Sequence, residues 1–240
     1  GKPVILFEYD PSRAQAVPLR LLEGWKGHLI ADGLESYGAI AFTEGVTRLG
    51  CWVHARRRFV DASKVLPAGK RGRAHEALAL IGKLYAIEKE AREKSDAERL
   101  ALRQTRSRAV IDELRRWLDH VLPTVPPTSV LGGALGYLHR QWPRLTRYLE
   151  RGDLPIDNNP AENAIRPFVV GRKAWLFSDT QAGARASALL YSLVETAKAN
   201  GFEPYLWLRH VLRALPTATT VEHFEALLPW NLKAEQLITA

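Results

Sequence analysis

Sulfur-containing residues are nearly missing from the sequence, which has 240 residues, no methionine and one cysteine, Cys51. A single thiol excludes an internal disulfide, and it excludes the paired thiolates of a zinc ribbon or finger. The lack of methionine, together with a Gly1 that leads directly into the apolar run from Val4 to Phe7, predicts a chain cut from a longer protein.

Long apolar segments and several common motifs are missing as well. No stretch of about 18 uncharged apolar residues occurs, and the N-terminus lacks the basic, apolar and small-residue order of a signal peptide. These absences predict a cytoplasmic protein. The nucleophile elbow, the phosphate-cradling loop and the dinucleotide fingerprint are also absent, which argues against covalent catalysis and nucleotide cofactors.

The composition is that of a globular protein with a basic surface. Apolar residues make up 46% and charged residues 25%, and 34 basic against 26 acidic side chains give a net charge of +8. The length allows one large domain or two small ones, and it is long enough to bury a sizeable core. Disorder as the dominant state is therefore excluded.

The first fifty residues alternate between strand and helix patterns. β-Branched and aromatic residues predict strands at 4–9, 28–31 and 47–52, with a helix at 17–23 and another from about His54. Such alternation is typical of an α/β sheet whose parallel strands are joined by helical crossovers.

The apolar period changes to three and four residues from about Ala74 to Glu150, which predicts an all-helical insertion with breaks at Lys94–Asp96 and Pro123–Pro127. We expect this insertion to form a separate helical layer. Further helices are predicted after Pro160, at 184–200 and at 204–215. The predicted domains are residues 1–73 as the first part of the α/β core, 74–150 as the insertion, 151–215 as the second part of the core, and 216–240 as a C-terminal tail.

Two acidic residues stand where chemistry is plausible, and each has a structural alternative. Asp32 follows a predicted strand, so it could hold a metal ion, or it could form the Asp-Gly turn or cap a helix. Glu162 could be a ligand beside Asp157, or the third residue of a capping box that begins at Asn159. Oxygen ligands beside Arg166, Arg172 and Lys173 suit a divalent cation and a phosphate backbone.

A second basic segment runs from residue 56 to residue 73, where seven basic side chains accompany only Asp61. Such a concentrated charge suits phosphate neutralisation, although it is also common on a solvated surface. Cys51 and His54 have the spacing of half a metal site. With no second half nearby, we interpret them as a buried cysteine and a hydrogen-bonding histidine.

Five segments together resemble a known family. They are Leu29–Tyr37, Gly50–Phe59 (GCWVHARRRF), Ile156–Pro167 (IDNNPAENAIRP), Gly171–Phe177 (GRKAWLF) and Tyr191–Gly201 (YSLVETAKANG). In this order, and with Leu227–Trp230 near the end, they are similar to bacterial DDE transposases of the insertion sequence sixty-six family.

The resemblance implies a ribonuclease H-like core in which three carboxylates bind two Mg²⁺ ions. Asp32 matches the second acid, at the end of a central strand, and Glu162 matches the third, on a helix. The first acid of the family lies upstream of the segment that Val4–Tyr9 resembles, so the chain is expected to begin after it, with Asp10 as the only nearby substitute. A fragment with two acids is expected to bind magnesium weakly.

The function implied is metal-dependent cleavage and strand transfer of double-stranded DNA at the ends of a mobile element, by a homo-oligomer on DNA. The expected DNA-binding residues are His54, Arg56, Arg57, Arg166, Arg172 and Lys173. A catalytically inactive DNA-binding or accessory protein with the same fold is the main alternative, and a magnesium-dependent nuclease is the third. We expect Asp32 and Glu162 to approach within reach of a shared metal site.

Overall fold

The computed structural model describes residues 2–12, 14–33, 37–67, 69–175, 178–233 and 235–238. The chain divides into two units. We call Arg13–Asn159 the central unit, and Gly1–Ser12 together with Pro160–Ala240 the terminal unit.

The central unit contains a small parallel sheet. Strand β1 (Gly27–Ala31) pairs with strand β2 (Val46–Gly50), and Ile30 lies opposite Leu49. The helices of this unit are α1 (Ala16–Leu21), α2 (Trp52–Lys64), α3 (Arg73–Glu90), α4 (Asp96–Leu102), α5 (Arg108–Val121) and α6 (Val130–Leu145). Parallel strands within a mostly helical chain agree with the predicted α/β class.

Local sequence chemistry sets the helix boundaries in residues 73–150. Ser95 Oγ accepts a hydrogen bond from the Glu98 backbone N–H, and the Glu98 carboxylate accepts one from the Ser95 backbone N–H, which closes a capping box at the start of α4. Ser129 caps α6 by accepting from the Gly132 N–H. The predicted breaks before these two helices are confirmed.

The helices of residues 73–150 share their core with the sheet. Leu49 and Trp52, from β2 and α2, belong to the same buried cluster as Ile81, Leu114 and Leu135 from α3, α5 and α6. Residues 74–150 contain helices and no strand, as predicted, and α3 and α6 pack against α2 or β2. That these helices form a separate layer stays a prediction. The domain boundaries themselves stay a prediction.

One buried ion pair joins the helices of the central unit. Arg103 lies in a single π-helical turn, Arg103–Ser107, between α4 and α5. Its Nε and Nη2 donate to the two carboxylate oxygens of Glu88 at 2.8 and 2.6 Å, and its Nη1 donates to the Tyr148 carbonyl at 2.9 Å. This fork of hydrogen bonds satisfies a guanidinium whose side chain is only 1% exposed.

The terminal unit is helical in its described residues after Pro160. Its helices are α7 (Asn159–Ala164, whose first residue belongs to the central unit), α8 (Arg166–Trp175), α9 (Gln181–Ala199), α10 (Pro204–Ala214), α11 (Val221–Ala226) and α12 (Glu235–Ile238). Its buried apolar cluster contains Ala197, Trp207, Leu232 and Leu237. Nowhere in the described part of either unit is a helix long and apolar enough to cross a membrane.

The predicted strand at Val4–Tyr9 is wrong, because these residues are extended but pair with helix side chains. Thr196 Oγ1 accepts from the Ile5 N–H and donates to the Ile5 carbonyl, and Ser192 Oγ accepts from the Phe7 N–H at 2.7 Å. Two extended residues rise about 6.6 Å and four helical residues about 6 Å, so the two repeats match. Side-chain hydroxyls therefore replace a neighbouring strand.

Candidate functional site

Asp32 lies directly after the carboxyl end of β1 and is partly buried. Its backbone carbonyl accepts a hydrogen bond from Arg48 Nη2 at 2.6 Å, and Arg48 Nη1 donates to the Tyr37 carbonyl at 2.9 Å. Burial lowers the pKa of Arg48, the nearby charge of Arg144 lowers it further, and Asp32 opposes this shift. A buried guanidinium thus stands beside the candidate acid.

Gly33 lets an aromatic ring approach the same strand end. A Cβ built on Gly33 would lie 2.5 Å from Tyr137 Cε2, so only glycine leaves room for this ring. Burial raises the pKa of the Tyr137 hydroxyl, which therefore stays neutral. The Arg58 guanidinium lies 4.3 Å above the centre of the Tyr137 ring, in a cation–π arrangement that holds its position.

These side chains line a cleft of about 550 Å³, which we call the arginine cleft. The lining residues are Gly33, Gly38, Arg48, Arg58, Tyr137, Arg140, Gln141 and Arg144. No described lining residue is acidic. Within the described ranges, none of the four arginines forms an ion pair with a carboxylate.

The basic residues that the sequence predicted on α2 do not share one face. His54, Arg56 and Arg57 lie within the first two turns of α2, and successive helical residues point about 100° apart. Arg56 is exposed, and its charge acts on Tyr85 rather than on the arginine cleft. Of the three consecutive arginines, Arg58 is the one that reaches the cleft.

The polar residues before Glu162 are held by the central unit. Asp157 is buried and accepts hydrogen bonds from the Tyr85 hydroxyl at 2.9 Å and from the Asn159 backbone N–H at 3.1 Å. Asn158 Oδ1 accepts from Cys51 Sγ at 2.8 Å. These oxygens position the chain before α7, so they have structural partners already.

The interpretation of Cys51 as a buried free cysteine is confirmed. Burial raises the pKa of its thiol, although the backbone N–H of Asn158 and those of His54 and Val53 act in the opposite direction. The thiol therefore remains protonated and serves as a donor to Asn158.

Glu162 is partly buried on the short helix α7. The helix starts at Asn159, so Asn159 is its first residue rather than its predicted N-cap, and the Asn159 N–H donates to Asp157 Oδ1. Asp32 belongs to the central unit and Glu162 to the terminal unit. The approach of their carboxylates therefore stays a prediction.

The basic residues of α8 are exposed. Arg166 and Lys173 are seven residues apart and share one face of the helix, whereas Arg172 points elsewhere. Arg172 lines a cavity of about 540 Å³ within the terminal unit, together with Glu8 and Asp179. This second cavity mixes both charge signs, unlike the arginine cleft.

The described residues do not supply a complete magnesium site. Across the described ranges, no three His, Cys, Asp or Glu side chains come together as ligands of one ion. Magnesium needs well-placed anionic oxygens, and one candidate carboxylate in each unit, Asp32 or Glu162, does not provide them. Asp10, the suggested substitute for the first acid, accepts a hydrogen bond from the Ser12 N–H.

The arginine cleft is the feature that sequence reasoning missed. Its arginines come from β2, α2 and α6, so the basic run that contains Arg58 does not reveal the other three. One signal was present: Tyr137, Arg140, Gln141 and Arg144 follow a spacing of three, one and three residues, which places polar residues on one face of α6.

Comparison with known proteins agrees with the resemblance. A model described as Transposase IS66 family matches residues 1–186, and one described as IS66 C-terminal element matches residues 192–230. No solved structure matches the chain significantly.

Three relatives come from Sinorhizobium fredii strain NGR234. The uncharacterized protein y4jD is 33% identical over 242 residues, which cover 98% of this chain and 47% of the relative. The uncharacterized protein y4qI is 31% identical, with 98% and 44% covered, and y4hP is 28% identical, with 99% and 45% covered. The chain thus spans about half the length of the curated relatives it matches. With family models that match most of its length, the chain belongs to the transposase IS66 family.

Proposed function

We propose that the chain is part of a DNA transposase that cuts and joins double-stranded DNA at the ends of a mobile element. The observation that carries this proposal is the arginine cleft at the carboxyl end of β1, next to Asp32, in a chain of this family. Parallel α/β sheets collect their functional groups at this edge, and DNA presents a dense row of phosphates to a basic surface.

Asp32 and Glu162 are the acids we assign to catalysis, within a ribonuclease H-like core. The position of Asp32 after a parallel strand and that of Glu162 on a helix support the assignment. The family expectation is two Mg²⁺ ions. The described residues provide two of the expected carboxylates, so the role proposed for this chain is to place them and to hold DNA.

DNA is the proposed partner of the basic residues. We assign phosphate contacts to the partly buried His54 and to the exposed basic residues of α2 and α8, which are Arg56, Arg57, Arg166, Arg172 and Lys173. We also propose that the protein works as a homo-oligomer on DNA. The exposed apolar side chains Leu189 and Leu190 of α9 and Leu212 of α10 support this, because an assembly can cover exposed apolar surface.

The test uses the complete coding sequence that contains this chain, in a transposition assay in cells. Asp32→Asn and Glu162→Gln remove one charge each and keep the side-chain shape, so we expect transposition to fall below detection while purified protein still binds duplex DNA. Asp61→Asn is the matched control, because Asp61 forms only an exposed ion pair with Lys64. Wild-type transposition by the Asp32→Asn variant would contradict the assignment.

A DNA-binding or accessory protein without catalysis is the second candidate. It is favoured by the available metal ligands, since the described residues bring no three potential ligands of one ion together. The arginine cleft suits phosphate under this candidate as well. Under this candidate, wild-type protein binds duplex DNA but never cleaves it with any divalent cation. Cleavage that depends on Asp32 would exclude it, and cleavage without strand joining would indicate a nuclease.

A further inference from the structure

We infer that the arginine cleft is a specific binding site for phosphates of the DNA backbone. Arg58 and Arg140 are its outer contacts, and Arg48 and Arg144 lie below them. The residues come from three elements that the central core holds in place. The identity of the polyanion as DNA rests on the proposed function. The cleft itself rests on the geometry.

The four guanidinium groups are graded by depth. Arg48 is 2% exposed, Arg144 is partly buried, and Arg58 and Arg140 are exposed. Arg48 is tied to two backbone carbonyls, and its buried Nε has no hydrogen-bond partner among the described residues. The floor of the cleft is therefore fixed and positive, and the contacts open to a ligand lie at its rim.

Neighbouring small and aromatic residues position the rim. The Tyr137 ring holds the Arg58 guanidinium from below. A Cβ built on Gly136 would lie 3.1 Å from Arg140 Nη1, so the glycine leaves space for this guanidinium against α6. An arginine that is held in place loses less rotamer entropy when it binds a phosphate.

Among the described residues, the positive charges of the cleft are balanced only in part. Asp32 acts on Arg48 and Tyr137, but within the described ranges the four arginines make no ion pair with a carboxylate. Four guanidinium groups that repel one another are costly to gather without an anion. A dianionic or polyanionic ligand offsets that cost, and Arg forks match phosphate oxygens.

The continuous backbone of a DNA strand fits this site better than a small phosphate compound does. The rim arginines are exposed on two different helices, so they can contact successive phosphates of one strand. The cleft adjoins Asp32, the acid at the end of β1. A strand that lies in it therefore passes the proposed site of cutting.

The experiment is a salt titration of duplex DNA binding by the purified chain, with a fluorescent oligonucleotide duplex as the probe. We compare the double variant Arg58→Gln and Arg140→Gln with wild type. Each lost phosphate contact removes about 0.9 from the slope of log affinity against log salt, so the slope should become shallower by roughly 1.8. Melting curves should be unchanged, since both side chains are exposed.

The matched control is Arg92→Gln with Arg116→Gln, two exposed arginines of the same unit that lie outside the cleft. It removes the same net charge and should leave the slope within error of wild type. A charge-conserving variant, Arg58→Lys with Arg140→Lys, should keep the slope but bind more weakly, because lysine lacks the two-pronged contact.

Three results would overturn the inference. The first is an equal salt slope for wild type and the cleft variant, and the second is an equal loss of slope in the cleft variant and the control. The third is a wild-type chain that does not bind duplex DNA at low salt.

The proposed function is tested separately. If Asp32→Asn leaves transposition intact while the cleft variant loses its slope, the cleft binds DNA but the catalytic assignment is wrong. If Asp32→Asn abolishes transposition and the slopes are equal, the cleft alone is wrong.

Discussion

The two units differ in how they hold their candidate acids. Asp32 follows a strand of the central unit, and residues from β2, α2, α3, α5 and α6 share one buried cluster beside it. Glu162 lies on a six-residue helix with no buried side chain, in a unit whose buried apolar cluster contains four residues. Core packing thus fixes the surroundings of Asp32 far more firmly than those of Glu162.

The same contrast applies to apolar surface. In the terminal unit, Ile165, Val170, Leu189, Leu190 and Leu212 are all exposed. In the central unit, Leu84, Leu114 and Leu118 are fully buried. The central unit has the larger buried core, although Val65 and Val130 are exposed on it, and the terminal unit carries exposed apolar side chains on α9 and α10.

The largest effect should come from breaking the buried ion pair of the central unit. Arg103→Ala leaves Glu88, whose side chain is 13% exposed, without its partner, and we expect a loss of about 3 to 5 kcal/mol in the free energy of unfolding. Urea unfolding measures the loss in the free energy of unfolding, and hydrogen exchange of the α3 and α5 amides measures where in the chain the stability is lost.

Arg106→Ala is the control, because Arg106 and Glu90 form an exposed pair in the same π-helical turn at the same 2.6 Å distance. It should cost at most about 1 kcal/mol. Equal losses for the two variants would contradict the account of the central unit as the rigid part of the chain.

A smaller effect should appear at alkaline pH. Burial and the Asp157 carboxylate both raise the pKa of Tyr85. The unfolded chain loses the tyrosine proton near pH 10 while the folded chain keeps it, so the stability due to this group is present below about pH 10 and falls above it. Tyr85→Phe should therefore lose less stability than wild type between pH 7 and pH 10.5.

At neutral pH the same Tyr85→Phe variant should cost about 1 to 3 kcal/mol, because Asp157 is buried and loses a donor. Urea unfolding at both pH values gives both numbers. Cys51 and Tyr137 are unchanged in the variant, so their titration cancels in the comparison. A wild type and variant with parallel pH dependence would show that Tyr85 ionises equally in both states.

The smallest effect should be local to the terminal unit. Thr196→Val keeps the side-chain shape but removes the hydrogen bonds to the Ile5 N–H and carbonyl, so we expect a cost of about 1 kcal/mol per bond and faster hydrogen exchange in residues 2–12. Ser187→Ala on the same helix is the control. Exchange rates that do not respond to Thr196→Val would mean that the extended segment does not depend on α9.

Local chemistry predicted much of the fold and little of the site. The Ser95–Glu98 capping box and the short apolar run at β1 act over a few residues, so the sequence displays them. The segment Val4–Tyr9 has strand propensity, but its partner is helix α9, and propensity does not reveal which surface a segment meets.

The candidate site likewise combines features that the local sequence displays with contacts that only the fold creates. Asp32 and Glu162 were identified by resemblance, and Asp32 could also be placed at a strand end. Arg48, Arg58 and Arg140 could not be grouped from the sequence, because the folding of three distant elements brings them together. The basic run on α2 shows which residues are charged but not which of them face the cleft, since neighbours on a helix face different directions.

The most direct test of the account is a structure of the complete protein bound to duplex DNA from one end of its mobile element. We predict a backbone phosphate within hydrogen-bond distance of the Arg58 and Arg140 guanidinium groups. We also predict that the Asp32 and Glu162 carboxylates lie beside one and the same phosphodiester. DNA bound away from the arginine cleft, or carboxylates that contact different parts of the complex, would contradict it.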